Sequence, residues 1–261
     1  MIDGIQIEKD QHCTLCRITH LSDNFKAKIR NELNSIINGE YSVETVPEQA
    51  DYKYALRLFL ERYRAQTKKT KKGMIGELLA HVLASTILSP LKCISVLKNK
   101  EEGSIKKGFD IIYLDVAAQE LWYSEVKSGG KRKSHTAGKA NNILLARARR
   151  GIKEMLSSDR ITLWDSAMSD VALIMEGAKQ INTKKLLAKD SPIKTQSVSK
   201  DKNVILFSAL YETTANPVKI GDLKAYLDGL DKTEFKGVTI FSIQKETYDR
   251  VANFLEAEIA N

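Results

Sequence analysis

The stretch "GFDIIYLDVAAQELWYSEVKSGG", Gly108–Gly130, decides how this chain is read. Two apolar runs of strand length, 108–116 and 119–127, lie so close together that they predict an antiparallel hairpin. The first run carries Asp110 near its start, and the second ends on Glu125 and Lys127. Side chains alternate along a strand, so Tyr123, Glu125 and Lys127 share one face and Val126 takes the other. Given a suitable register, Asp110 joins Glu125 on that face. Two neighbouring carboxylates repel unless a cation lies between them. Hard oxygen donors select Mg2+ or Mn2+ over zinc. Lys127 then stands within reach of a phosphate oxygen or an attacking water.

Upstream, "GMIGELLAHVLASTIL", beginning at Gly73, predicts a buried helix that is apolar on most sides, with Pro90 beyond its end. Glu77 is an acidic residue in that apolar context, and buried charges need partners. His81, one turn further on, reads as a core histidine, and Trp122 reads as a core side chain. A strand over 91–97 precedes the hairpin. Downstream, "SGGKRKSHTAGKA" reads as a mobile glycine- and lysine-rich loop, followed by a basic helix over about 139–157. Between Val126 and Lys153 stand nine basic residues and no acidic one. Of these, Lys131, Arg132, Lys133, Lys139, Arg147, Arg149 and Arg150 are the candidate nucleic-acid contacts. With little aromatic interleaving, such charges neutralise phosphates without reading bases. A second basic cluster, Arg64, Lys68, Lys69, Lys71 and Lys72, stands just before the buried helix.

Further out, residues 14–20 read as a strand, and Ser22 as the N-cap of a helix with apolar positions Phe25, Ile29, Leu33, Ile36 and Ile37. "EYSVETV" reads as a short strand, and "DYKYALRLFLERYRAQTKK" as an amphipathic helix. Within 161–200, "DVALIM" could be a strand, "NTKKLLAK" a helix turn and "KDSPIKTQSVSKDKN" a loop. The end of the chain reads as strand "NVILFSALY", helix 219–229, strand "GVTIFSI" and a helix from about 245. Together these predict an α/β protein with a mixed central sheet flanked by helices. Residues 1–72 form an N-terminal α/β elaboration, and 73–261 form the main domain with a C-terminal strand-helix extension.

The 261 residues carry a net charge of +8, a basic balance that suits a polyanionic partner. No apolar run approaches the ~20 residues needed to cross a bilayer. The first residues, "MIDGIQIEKDQH", lack the pattern of a secretory signal, so the expected location is cytoplasmic. Three cysteines make no disulfide framework. In "HCTLCRITH", the set His12, Cys13, Cys16 and His20 has zinc-like spacing, but strand alternation sends the two cysteines to opposite faces. These read as ordinary strand residues.

Helix Glu77, strand Asp110 and Glu125-x-Lys127 resemble the PD-(D/E)xK nuclease superfamily, with Phe109 in place of the proline of the family name. The resemblance covers roughly residues 73–157. The segments "TKKGMIGELLAHVLA", "GFDIIYLD" and "LWYSEVKSG" are, more closely, similar to the HamA family, the nuclease subunits of the Hachiman anti-phage system. The resemblance implies a restriction-endonuclease-like core and metal-dependent cleavage of DNA. Asp110, Glu125 and the Val126 carbonyl would hold Mg2+ (or Mn2+), Lys127 would serve the attacking water or the phosphate, and Glu77 would complete the catalytic set. It also implies a HamB-like helicase partner that restrains the nuclease. The competing reading is a DNA-binding adaptor that keeps the fold without catalysis.

Overall fold

"NVILFSALY", which forms a strand over Asn203–Tyr211, is buried at every position. A strand covered on both faces belongs in the interior of a sheet with helices on either side. The computed structural model, which describes residues 2–46, 48, 51–97, 108–191 and 198–260, places it there. In chain order the elements are β1 Ile5–Asp10, β2 Cys13–Ile18, α1 Asp23–Asn38, α2 Glu40–Thr45, α3 Tyr52–Arg64, α4 Lys68–Ile87, β3 Leu91–Cys93, β4 Ile111–Asp115 and β5 Glu120–Gly130. They continue with α5 Ala137–Leu156, α6 Ile161–Ile174, α7 Gly177–Asp190, β6 Asn203–Tyr211, α8 Ile220–Asp228, β7 Gly237–Lys245 and α9 Asp249–Ala260. The seven strands form one mixed sheet in the order β1-β2-β7-β6-β5-β4-β3. Strands β2, β7, β6 and β5 run parallel, and β1 and β4 run against their neighbours. The expected mixed sheet flanked by helices is what the chain forms.

Alternation along β6 divides the core. Ile205, Phe207 and Ala209 face α1, α3, α4 and α9, whereas Val204, Leu206 and Leu210 face α5, α6 and α8. Strand β2 divides the same way. Cys16 lies in the first half of the core and Cys13 in the second, which removes the zinc-like set from consideration. Strand β1, adjoining β2, was not anticipated from the sequence. The position between residues 72 and 73 lies within α4, and β1 and β2 belong to the same sheet as β5.

Three segments differ from the sequence reading. "EYSVETV" is mostly helical, as α2; Gly39, at φ 88°, breaks the chain direction after α1, and a new helical turn starts at Glu40. "DVALIM" lies largely within α6, where Val171 and Ile174 are buried one turn apart; a short apolar run does not distinguish strand from buried helix. "NTKKLLAK" belongs to the longer helix α7, and residues 192–197 of the expected loop lie outside the described residues. Strand 91–97 is shorter than expected. Regular pairing ends at Cys93, although Ile94 N–H still donates to the Ile112 carbonyl at 2.8 Å, and Ile112 N–H to the Ser95 hydroxyl at 2.9 Å.

Two packing details set the height of the helices over β5. Asn141 of α5 bonds Ser208 of β6 (2.8 Å) and Ser242 of β7 (3.1 Å), with all three side chains fully buried. On the other face, Gly76 of α4 lies against β5 and β6 so closely that a Cβ there would meet Ser128 Cβ at 3.1 Å and Ala209 Cβ at 3.2 Å. In an open helix Gly→Ala gains roughly 0.5–1 kcal/mol. Overpacking of a close interface costs about 1–3 kcal/mol, so here it wins. Gly76→Ala should therefore lower the melting temperature in thermal denaturation, and Ser128→Gly in the same chain should recover part of the loss.

Candidate active site

Strand β5 outlasts its neighbour. Pairing with β4 ends at Ile111↔Ser124, while β5 continues to Gly130 with β6 on its other edge. From Glu125 onward one edge of β5 is therefore open. Asp110 sits at that opening, and its Oδ2 accepts the Val126 N–H at 2.7 Å, replacing the ladder bond that β4 no longer supplies. Continuing the register two residues beyond Ile112↔Tyr123 sets Asp110 opposite Glu125 on one face. The sequence expectation left this register open. A strand residue points its N–H and C=O to the same edge, so the Val126 carbonyl also faces the opening.

Glu125 is buried under α5, where a Cβ on Gly151 would come within 3.0 Å of its Oε1. Any larger residue there would make the Glu125 carboxylate give way by a few tenths of an ångström. Lys127, one pleat along on the same face, pairs with Glu125 Oε1. Burial, reinforced by the neighbouring Asp110, pushes the Glu125 carboxyl well above the usual carboxylate range, and Lys127 only partly opposes this. Burial works against the Lys127 charge, but Glu125, Asp110 and Glu77 outweigh it and hold the ammonium above the ordinary lysine range.

Glu77 arrives from the other side of the sheet, one residue after Gly76. Its charge is felt by Lys127, Arg62 and Tyr211. Among the described residues no group of three or more His, Cys, Asp and Glu side chains is arranged to hold a metal ion. The oxygen donors at the opening are thus Asp110, Glu125 and the Val126 carbonyl, with Glu77 acting on Lys127 from the far side. His81 is buried away from the opening, with Nδ1 3.8 Å from Cys93 Sγ. Trp122 packs against the core on the α4 face. Tyr123, on the Glu125 face, donates from its hydroxyl to Asp190 at 2.7 Å.

The expected loop is shorter than the sequence reading gave. Strand β5 runs through Gly130 and α5 starts at Ala137, with the Thr136 side chain as its cap, because the Asn141 anchor and the apolar α5 face hold the helix to its first turn. A cleft of about 740 Å3 opens at the end of β5, between this loop, α5 and the first turns of α4. Arg132 and Arg147 line it, facing Lys68, Lys69 and Lys72. The sequence reading places these lysines just before the helix, in a basic cluster flanking the segment that carries Glu77. They are its first turns, capped by the Thr67 hydroxyl. Lys133, Lys139 and Arg150 are exposed. Lys131 borders an adjoining groove. Arg149 points elsewhere, pairing with Glu234 at 3.2 Å beside Lys153.

These features define a mixed α/β protein with a nuclease-like core, in which Asp110, Glu125 and Lys127 meet where a strand hairpin opens. The family model described as HamA matches residues 5–259, so the chain belongs to the HamA family, a component of Hachiman anti-phage defence. None of the curated proteins matches the chain. Among the described residues no helix is long and apolar enough to cross a membrane.

The carboxyl pair has a consequence for stability. A carboxyl raised by burial is stabilising while protonated, and that contribution is lost as pH rises through its folded-state value. Asp110 and Lys127 are the charged groups facing Glu125. Glu125→Gln should match the parent in thermal denaturation near about pH 4 and exceed it by about 2–4 °C near about pH 8. A uniform loss at both pH values would contradict the buried-carboxyl account.

Proposed function

We propose that this chain is a metal-dependent DNA nuclease controlled by a partner helicase. One observation carries the reading: two carboxylates and a lysine sit together where β5 outruns β4, beside a cleft walled by cations. A core protein gains nothing from a buried carboxylate pair held in this way, since each unneutralised charge costs free energy. The donor set fits a divalent cation, because Asp110, Glu125 and the Val126 carbonyl are hard oxygens and one of the carboxyls is driven toward neutrality without one. A bound Mg2+ would supply the charge that polarises a phosphodiester and acidifies a water.

The protein's own residues do the rest. Asp110 is oriented by the Val126 N–H and by its hydrogen bond with Glu125, so its carboxylate is directed without conformational search. Gly151 and the buried face of α5 fix Glu125. Lys127 stays charged in a partly buried setting, which suits it to neutralise charge building on a phosphate. Glu77 supports that charge from across the sheet. Arg132, Arg147 and the α4 lysines would hold the backbone on either side, without reading bases.

A DNA nuclease acting in a cell must be restrained, and membership of the HamA family supports a helicase partner as the restraint. The test is plasmid cleavage by the purified chain in Mg2+ or EDTA, alone and with a HamB-like helicase, with and without ATP. Cleavage should need Mg2+, be weak for the chain alone and rise with helicase and ATP. Asp110→Ala, Glu125→Ala and Lys127→Ala should each reduce it by about 100-fold or more while the chain stays folded. Parent-like degradation by all three variants would remove the assigned site. Full activity of the isolated chain without ATP would instead point to a stand-alone nuclease.

A further inference from the structure

We infer that the basic cleft beside the site receives a single strand of nucleic acid, a few nucleotides long, and not an intact duplex. The inference rests on the nuclease reading for why nucleic acid comes here; the preference for one strand comes from the shape and lining of the cleft. Its volume of about 740 Å3 lies within the range of about 300–1,000 Å3 typical of sites for small ligands. A few nucleotide units fit such a space. A duplex, whose major groove alone is about 12 Å wide, could only lie across the mouth.

The lining is also two-sided. Lys68, Lys69 and Lys72 stand on the α4 wall, with Arg132 and Arg147 opposite, and no carboxylate lines the cleft among the described residues. Opposed cations suit a chain of phosphates threading between them, since each wall neutralises the same backbone. The α4 wall is braced from beneath. Tyr211 donates to the Lys72 carbonyl at 2.9 Å, and the Lys72 ammonium lies 5.6 Å from the centre of the Tyr248 ring.

An exposed apolar side chain then discriminates. Ile143, 40% exposed, also lines the cleft, flanked along the helix by Lys139 and Arg147, each four residues away. An isoleucine has no use for phosphate, but it can lie against the face of an unstacked base. Bases in a duplex keep those faces inside the stack. Among the described lining residues the His135 imidazole is the one aromatic ring and there is no Phe, Tyr or Trp, so base contact would be mainly apolar and sequence-tolerant rather than strong stacking. Gly129 and Gly130, without side chains, let the strand approach the end of β5 next to Lys127.

The experiment is fluorescence anisotropy on the full chain in EDTA, so that binding is measured without cleavage. The probes are an oligothymidine of about 12 nucleotides and a mixed-sequence duplex of the same length. The single strand should bind at least about tenfold more tightly. Lys69→Glu and Arg147→Glu, from opposite walls, should each weaken single-strand binding about fivefold or more at constant salt. Ile143→Ser should weaken the single strand about threefold and leave the duplex unchanged. Circular dichroism melting of each variant confirms that it is folded. Equal or tighter duplex binding overturns the inference and leaves the nuclease reading standing, because plasmid cleavage tests that separately. Binding of neither probe, or single-strand binding indifferent to both wall variants, also overturns it.

Discussion

The arrangement depends on a mismatch of strand lengths. β5 needs hydrogen-bond partners along both edges, and β4 supplies them only as far as Ser124. The next main-chain donor, Val126 N–H, would be left unsatisfied at the margin of a buried sheet, at a cost of about 1–3 kcal/mol. The Asp110 side chain takes that donor, and this brings a carboxylate to the place where Glu125 is already held. The charged site and the closing of the hairpin are thus one structural event. Moving Asp110 by one residue would cost the bond and turn its side chain to the other face.

Two helices, one on each face, convert that event into a confined site, and in both a glycine permits the approach. Gly151 leaves α5 room for Glu125, while Gly76 lets α4 sit close on Ser128 and brings Glu77 within electrostatic reach of Lys127. The Asn141–Ser208–Ser242 bonds fix α5 against the two central strands. Burial cost, mutual repulsion of the carboxyls and the Lys127 pair are thereby set against each other in one small volume. Such opposed terms, which perturb ionisation on both Glu125 and Lys127, are common where chemistry is done.

The sequence made this hairpin legible because period-two alternation is a strong local signal. It placed Tyr123, Glu125 and Lys127 on one face and sent Cys13 and Cys16 apart. Pairing register, by contrast, is not local. That Asp110 stands opposite Glu125 follows from where β4 ends, which no residue of β5 announces. Glu77 was recognised as an odd charge in an apolar helix, but a helix period cannot tell which face of a distant sheet will receive it. Segments such as "EYSVETV" and "DVALIM" were misread for the opposite reason. The apolar residues of "DVALIM" fit either a strand or a buried helix, and "EYSVETV", which buries no side chain, turns helical where Gly39 breaks the chain after α1.

The charges show the same division between composition and placement. A run of basic residues looks uniform in sequence, yet helical geometry deals its members to different duties. Along α5, Arg147 turns into the cleft, Arg150 to solvent and Arg149 to the buried Glu234. The α4 lysines were the reverse case. Read as a charged stretch before a helix, they are that helix's first turns, because Thr67 caps it and leaves Lys68, Lys69 and Lys72 stacked on one wall. Electrostatic binding of a polyanion follows the number of charges that can converge on it, not the number in the chain. By that measure the cleft gains three cations that the linear run did not promise, and of the seven that it did, only Arg132 and Arg147 line it.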